Sequence, residues 1–250
     1  MNRFNGKRIV LTGTASGIGQ ATAIRLASEG GAVVCVDVSG EGAAATAATI
    51  TAAGGIATSM ACDVSNFEQV EATIAAAADH LGGIDILCNI AGIGHFEYTH
   101  KESPERFNRV VGVNLNGTFY MCRFALPHLL ATGNGVIVNT ASTAGLIGQP
   151  WSAAYCASKG GVVLLTKELA TEYKGKGVRA NAIAPGGTNT NILGSFGPPE
   201  GADWKELTKI MTPMPNAEPS EIAGAFAYVA SDEARYMTGT IVSIDGGIAS

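Results

Sequence analysis

Tyr155 and Lys159 stand four residues apart in a stretch, about Ser152 to Tyr173, whose pattern predicts a long helix, so their side chains share one face. That spacing has a chemical consequence. A free phenol has a pKa of about 10, and an ammonium at about 4 Å in an effective dielectric of about 20 is worth roughly 4 kcal/mol. At about 1.4 kcal/mol per unit, the phenol would fall by about three units at most, enough to exchange a proton near neutral pH. Alone, a Tyr-x-x-x-Lys pair is a frequent helical accident, so the surrounding sequence has to decide.

A second group of residues suits phosphate binding. Thr12-Gly13-Thr14-Ala15-Ser16-Gly17-Ile18-Gly19 follows the apolar run Ile9-Val10-Leu11 and opens a helix. Gly13, Ser16, Gly17, Ile18 and Gly19 then form a turn whose backbone can approach a pyrophosphate, at a helix N-terminus that attracts negative charge. An acidic residue, Asp37, ends the next apolar run, as the dinucleotide-binding pattern requires. Its carboxylate can accept hydrogen bonds from ribose hydroxyls and would repel a 2'-phosphate, so NAD is expected rather than NADP.

These residues need elements to hold them. Over the first ninety residues one unit recurs: a helical stretch, a glycine pair (Gly30-Gly31, Gly54-Gly55, Gly82-Gly83), an apolar run, and a polar residue at its end. The runs Ala32 to Val36, Ile56 to Cys62 and Ile84 to Cys88 end at Asp37, Asp63 and Asn89, a spacing that suits βα units and predicts parallel strands buried on both faces. Further runs at Gly135 to Asn139, Val178 to Ala184 and Thr240 to Ile244 bring the count to seven. Helices are expected after Gly17, near Gly42 to Ala53, after a capping box Ser65-x-x-Glu68, from Pro104 after Ser103, and over the Tyr155 stretch. The expected fold class is α/β: one domain over 1–250, a Rossmann-like doubly wound parallel sheet of about seven strands with helices on both faces. Its ligand crevice would lie beyond the carboxyl ends of the strands. Residues 186–218, rich in Gly, Pro, Asn and Thr, read as a substrate lid with Ile192, Leu193, Phe196, Trp204 and Met211 on its apolar inner face.

Bulk properties exclude other classes. Sixteen basic against twenty-one acidic residues give a formal charge of -5 with no basic cluster, which argues against nucleic acid. No apolar run approaches a membrane span, and the run after Arg8 is too short for a secretion signal, so a cytoplasmic protein is expected. Five scattered cysteines without Cys-x-x-Cys or a neighbouring histidine read as reduced core residues, with no metal site expected, although Cys156 adjoins Tyr155.

With these pieces in place the sequence resembles the short-chain dehydrogenase/reductase family over essentially its whole length. The matching motifs come in the family's order: the Thr12 to Gly19 turn, Asp63-Val64, Asn89-x-Ala91-Gly92, Asn114, Ser142, Tyr155-x-x-x-Lys159, and Pro185-Gly186 with Thr190. The resemblance implies that Tyr155 transfers the alcohol proton and that Ser142 holds the substrate oxygen. It implies that Lys159 lowers the phenol pKa and binds the nicotinamide ribose, and that Asn114 holds a relay water. It also implies Asp63 and Val64 at the adenine, Asn89, Ala91 and Gly92 along the cofactor cleft, and Pro185, Gly186, Thr188 and Thr190 near the carboxamide and phosphates. Hydride transfer to the nicotinamide needs no metal. Ser16 stands where some NADP-dependent members carry a basic residue. Ile90 departs from the family, which usually has a second asparagine there; local repacking is expected. A homotetramer is implied, pairing helices at about Ser103 to Ala131 and Ser152 to Tyr173, with Ala153, Ala157 and Gly161 allowing close packing.

The residues expected around the substrate are Ile93, Gly94, His95, Phe96, Tyr98, Thr143, Leu146, Gln149, Trp151 and the lid. They are mostly apolar and suit a small, fairly apolar alcohol or ketone better than a sugar phosphate. His95 reads as a solvated loop histidine. Two alternatives stand beside an NAD-dependent alcohol oxidoreductase. One is an NADPH-dependent 3-oxoacyl-carrier-protein reductase, which Asp37 disfavours. The other is a non-catalytic nucleotide-binding protein, which the complete set Asn114, Ser142, Tyr155 and Lys159 disfavours.

Overall fold

A computed structural model of the protein describes residues 2–208 and 210–249. Positions 1, 209 and 250 of the expected domain, the second of them inside the expected lid, lie outside the described residues. Seven strands form one sheet: β1 (Arg8–Thr12), β2 (Ala32–Asp37), β3 (Ile56–Ala61), β4 (Ile86–Asn89), β5 (Gly135–Thr140), β6 (Val178–Pro185) and β7 (Ile241–Ile244). Their order is β3-β2-β1-β4-β5-β6-β7 and every pairing is parallel. The order reverses between β1 and β4, where an open α/β sheet forms its ligand crevice.

Alternation along the strands divides the core in two, because successive side chains point to opposite faces. Ile9, Leu11, Val33 and Cys35 join one cluster with Ala23, Leu26 and Phe226. Val10, Val34 and Val36 join the other with Ile74, Met121 and Leu169. The first is covered by α1 (Gly17–Ser28), α2 (Gly40–Ala52) and α8 (Pro219–Ala230), the second by α3 (Phe67–Leu81), α5 (Gly117–Thr132) and α6 (Ala153–Tyr173). α8 packs beside α1 and is an element the sequence reading does not anticipate.

Several local expectations need correction. β3 is not buried on both faces: it is the outermost strand, and Ile56 is 66% exposed. α3 is not opened by Ser65 and Glu68. Its first turn is capped by Asn66, whose side chain accepts from the Gln69 N–H at 2.9 Å, while the Ser65 hydroxyl donates to Asp63 at 2.7 Å. Ser103 does cap α4 (Pro104–Val111), accepting from Arg106 N–H at 3.2 Å. The helix expected from Ser103 to Ala131 is interrupted at Gly112–Asn116 by a π-helical turn that separates α4 from α5. Gly161 lies against Leu115 of the same chain, whose side chain a Cβ there would meet at 2.7 Å. Among the described residues no helix is long and apolar enough to cross a membrane.

Candidate active site

A cavity of about 870 Å³ runs along the carboxyl ends of the strands, from Asp37 to the segment after β6. At one end Gly13, Ser16, Gly17, Ile18 and Gly19 line it. Gly13 has φ +72°, and a Cβ on it would meet the Ala91 nitrogen at 2.7 Å, so the turn can lie against the β4 end only with glycine. The Thr12 hydroxyl ties the same two segments, accepting from the N–H groups of Ile90 and Ala91 at 3.0 and 3.1 Å. Ile90 packs into the core and also borders the cavity. Asp37 is held by two backbone amides, from Ala15 and from Ser39, each at 2.9 Å. The four residues after it, Val38-Ser39-Gly40-Glu41, include no cation. Asp63, Val64, Ala91, Gly92, Pro185, Gly186, Thr188 and Thr190 also line the cavity.

Asn89 does not reach this cavity. It is buried below it, donating to Asn139 Oδ1 at 2.9 Å, and Asn139 in turn donates to the Thr166 hydroxyl at 3.0 Å. The Asn89 carbonyl accepts from the Thr140 hydroxyl at 2.7 Å, so this network joins β4, β5 and α6 beneath the site. A residue's type cannot tell which face of a strand end it takes when both faces are enclosed.

Ser142, Tyr155 and Lys159 line the middle of the cavity. Ser142 follows β5 and accepts from Ala144 N–H at 3.2 Å, which leaves its own hydroxyl proton available. Burial pushes the Tyr155 phenol above its ordinary value, and the neighbouring Ser142 hydroxyl pulls it down. This departs from the expected depression by Lys159. The lysine, 3% exposed, donates to the Thr140 carbonyl at 2.8 Å, and burial lowers its own pKa to about 8. Asn114, fully buried on the π-helical turn, accepts from Ile93 N–H and donates to Ile93 C=O, both at 2.9 Å, and donates to the Ser158 hydroxyl at 3.0 Å. Its side chain therefore fixes the segment after β4 and does not line the cavity.

The third part lies between the loop after β4 and the segment after β6. The ends of that segment are pinned together, since Ala217 N–H donates to Gly187 C=O and Asn189 N–H to Ala217 C=O, both at 2.9 Å. Between them are a 3-10 turn at Asn191–Ser195 and one helical turn, α7 (Lys205–Thr208). Ile192, Leu193, Phe196, Trp204 and Met211 all line the cavity, as expected of the inner face. Of the flanking residues, Ile93, Gly94, Phe96, Thr143 and Gln149 reach it, whereas His95, Tyr98, Leu146 and Trp151 do not. His95 is hydrogen-bonded through Nε2 to Glu102 at 2.6 Å, a partner the sequence reading does not anticipate. Sequence reasoning missed Ile147 and Ala144, which lie a step from named residues, and Arg109 and Val113 near the Ser65 end. Val113 carried the same signal, its adjacency to Asn114, and Arg109 carried none.

Comparison with known proteins places this arrangement. A family model described as enoyl-(acyl carrier protein) reductase matches residues 13–249. The cyclohexanol dehydrogenase of Acinetobacter sp. (strain SE19) is 38% identical over 250 residues, covering 100% of this chain and 97% of that one. A crystal structure of a short chain dehydrogenase from Burkholderia cenocepacia J2315 in complex with NADP superposes with a TM-score of 0.89 at 30% identity, covering 100% of both chains. This chain belongs to the short-chain dehydrogenase/reductase family. A 3-ketoacyl-(acyl-carrier-protein) reductase of the same fold from Brucella melitensis, complexed with NADH, has a TM-score of 0.89 at 36% identity, covering 98% of this chain and 99% of that one. As a short-chain dehydrogenase/reductase the protein is an oxidoreductase acting on the CH–OH group of its donor. Burial pushes the Cys156 thiol above its ordinary value, and the Gln149 backbone beside it pulls it down.

Proposed function

We propose that this protein interconverts a fairly apolar secondary alcohol and its ketone with NAD(H), using Tyr155 to transfer the proton. The observation that carries the reading is the placement of Tyr155, Ser142 and Lys159 in the same cavity as the glycine turn and Asp37. A nicotinamide dinucleotide fits the residues present: Gly13 closes a turn that a Cβ would obstruct, the N-terminus of α1 faces the cavity, and Asp37 stands where ribose hydroxyls can donate to it. Gly17 to Gly19 would hold the pyrophosphate, Asp63 and Val64 the adenine, Ala91 and Gly92 the cleft wall, and Pro185, Gly186, Thr188 and Thr190 the carboxamide end. When bound, the nicotinamide supplies the hydride acceptor or donor.

The chain's own residues then do the acid–base work. Tyr155 takes the alcohol proton in oxidation and returns it in reduction, while the Ser142 hydroxyl donates to the substrate oxygen and stabilises charge growing there. Lys159, turned from Thr140 toward the cavity, would bind the ribose and favour the ionised phenol. Asn114 acts by holding Ile93 in place beside the Tyr155 and Lys159 pair. NAD over NADP is supported by the Asp37 carboxylate and by the absence of a cation in the four residues after it. We read the enzyme as cytoplasmic, with unpaired buried thiols in support. We read it also as a homotetramer through α5 and α6, where Phe119 and Leu164 are exposed; light scattering checks this.

The deciding experiment is steady-state turnover of a panel of alcohols and ketones with NAD and NADP side by side. Preference for NAD with uncharged secondary alcohols is expected, and a strong NADP preference with 3-oxoacyl carriers would move the assignment to the carrier-protein reductase, which the Brucella structure's name keeps in view. Tight NAD binding without turnover of any member would favour a non-catalytic role.

A further inference from the structure

Three aromatic side chains that are remote in sequence converge beside Tyr155. Phe96, 9% exposed, stands edge-to-face against Phe196 at 4.9 Å between centroids and against Trp151 at 5.8 Å. Phe196 is also edge-to-face on Tyr155, at 5.2 Å. This contact depends on Gly94, because a Cβ there would meet Tyr155 Cδ2 at 2.8 Å and would overlap Phe196. Trp151 has φ +59°, a conformation that strains a bulky residue and persists only when its surroundings impose it. Here the Glu97 N–H donates to the Trp151 carbonyl at 2.8 Å, next to a parallel bridge between Glu97 and Ser152. Held in this conformation, Trp151 places its indole against Phe96. Among the described residues lining the cavity, the charged ones are Asp37, Asp63, Arg109 and Lys159. The first three belong to the ends of β2 and β3 and to α4, and Gly112 at the end of α4 lies against Ser65, so this charge gathers at the end away from the aromatic rings.

We propose that Phe96 and Phe196, in mutual contact and backed by Trp151, form an aromatic wall beside Tyr155 that selects an uncharged, ring-bearing secondary alcohol over an open-chain one. The proposal rests on the alcohol–ketone reading above. A cyclic substrate presents a rigid apolar face to the two rings, whereas an open chain of equal carbon number loses rotational freedom when it is ordered there.

The test is kcat/KM for cyclohexanol and 2-hexanol with the full-length enzyme and NAD, for wild type, Phe196→Ala, Phe196→Tyr and Phe96→Leu. Wild type is expected to favour cyclohexanol by about tenfold, the scale of the ordering cost that the open chain pays. Phe196→Ala and Phe96→Leu should each bring the ratio toward one, mainly through KM for the ring alcohol, and Phe196→Tyr should keep it. A wild-type ratio near one, a preference for 2-hexanol, or a ratio that both variants leave in place overturns the role of the aromatic wall while the alcohol–ketone reading stands. Absence of turnover with every alcohol and ketone tried overturns both.

Discussion

The Lys159 ammonium donates to the Thr140 carbonyl at 2.8 Å and stands 5.7 Å from the centroid of the Tyr155 ring. Helical spacing brings the two residues to one face, but the long lysine chain ends on a backbone acceptor at the tip of β5. A charge so buried is costly, and its pKa falls to about 8 from 10.5. The unfolded chain keeps the proton up to the higher value, so between the two it binds more protons than the fold and stability rises with pH across that window. Relative to Lys159→Met, the protein without cofactor should gain up to about 3 kcal/mol between about pH 8 and about pH 10.5. Urea denaturation at both ends of that range measures it. Parallel pH dependence in the two proteins would contradict the assignment.

Tyr155→Phe removes the transferable proton and keeps the ring packed on Phe196. A fall in kcat of about 10²- to 10⁴-fold is expected, with NAD affinity changed little, since the phenol acts on the substrate oxygen. Isothermal titration with NAD beside steady-state rates checks this, and equal losses in both would argue against a proton-transfer role.

Asp37→Ala leaves the Ala15 and Ser39 amides without their acceptor and removes the charge facing a 2'-phosphate. The NAD to NADP ratio of kcat/KM should fall by about 10- to 100-fold, the worth of one charge-assisted hydrogen bond. An unchanged ratio would remove Asp37 from cofactor choice.

Asn114→Ala deprives Ile93 of both its side-chain hydrogen bonds and leaves buried polar groups unpaired. A loss of about 2–4 kcal/mol of stability is expected from chemical denaturation. A loss below about 1 kcal/mol would mean that the Ile93 segment finds other partners.

The sequence by itself determined the parallel sheet and the two chemical signatures. Apolar runs after glycine pairs can satisfy their burial only between helical layers, and a glycine turn opening a helix is recognisable from its own spacing, although its glycines also answer to Ala91 and Thr190. Tyr155 and Lys159 were legible for the same reason, as helical spacing is a local fact. What depends on distant neighbours was decided by the tertiary structure. Ile56 is exposed because β3 is the outermost strand, Asn89 turns into the network with Asn139 and Thr166, and Lys159 ends on Thr140. Phe96, Trp151 and Phe196 are separated by 55 and 45 residues in the chain. No periodicity links positions so far apart; only the packing of the segment after β6 onto the loop after β4 brings their rings to Tyr155.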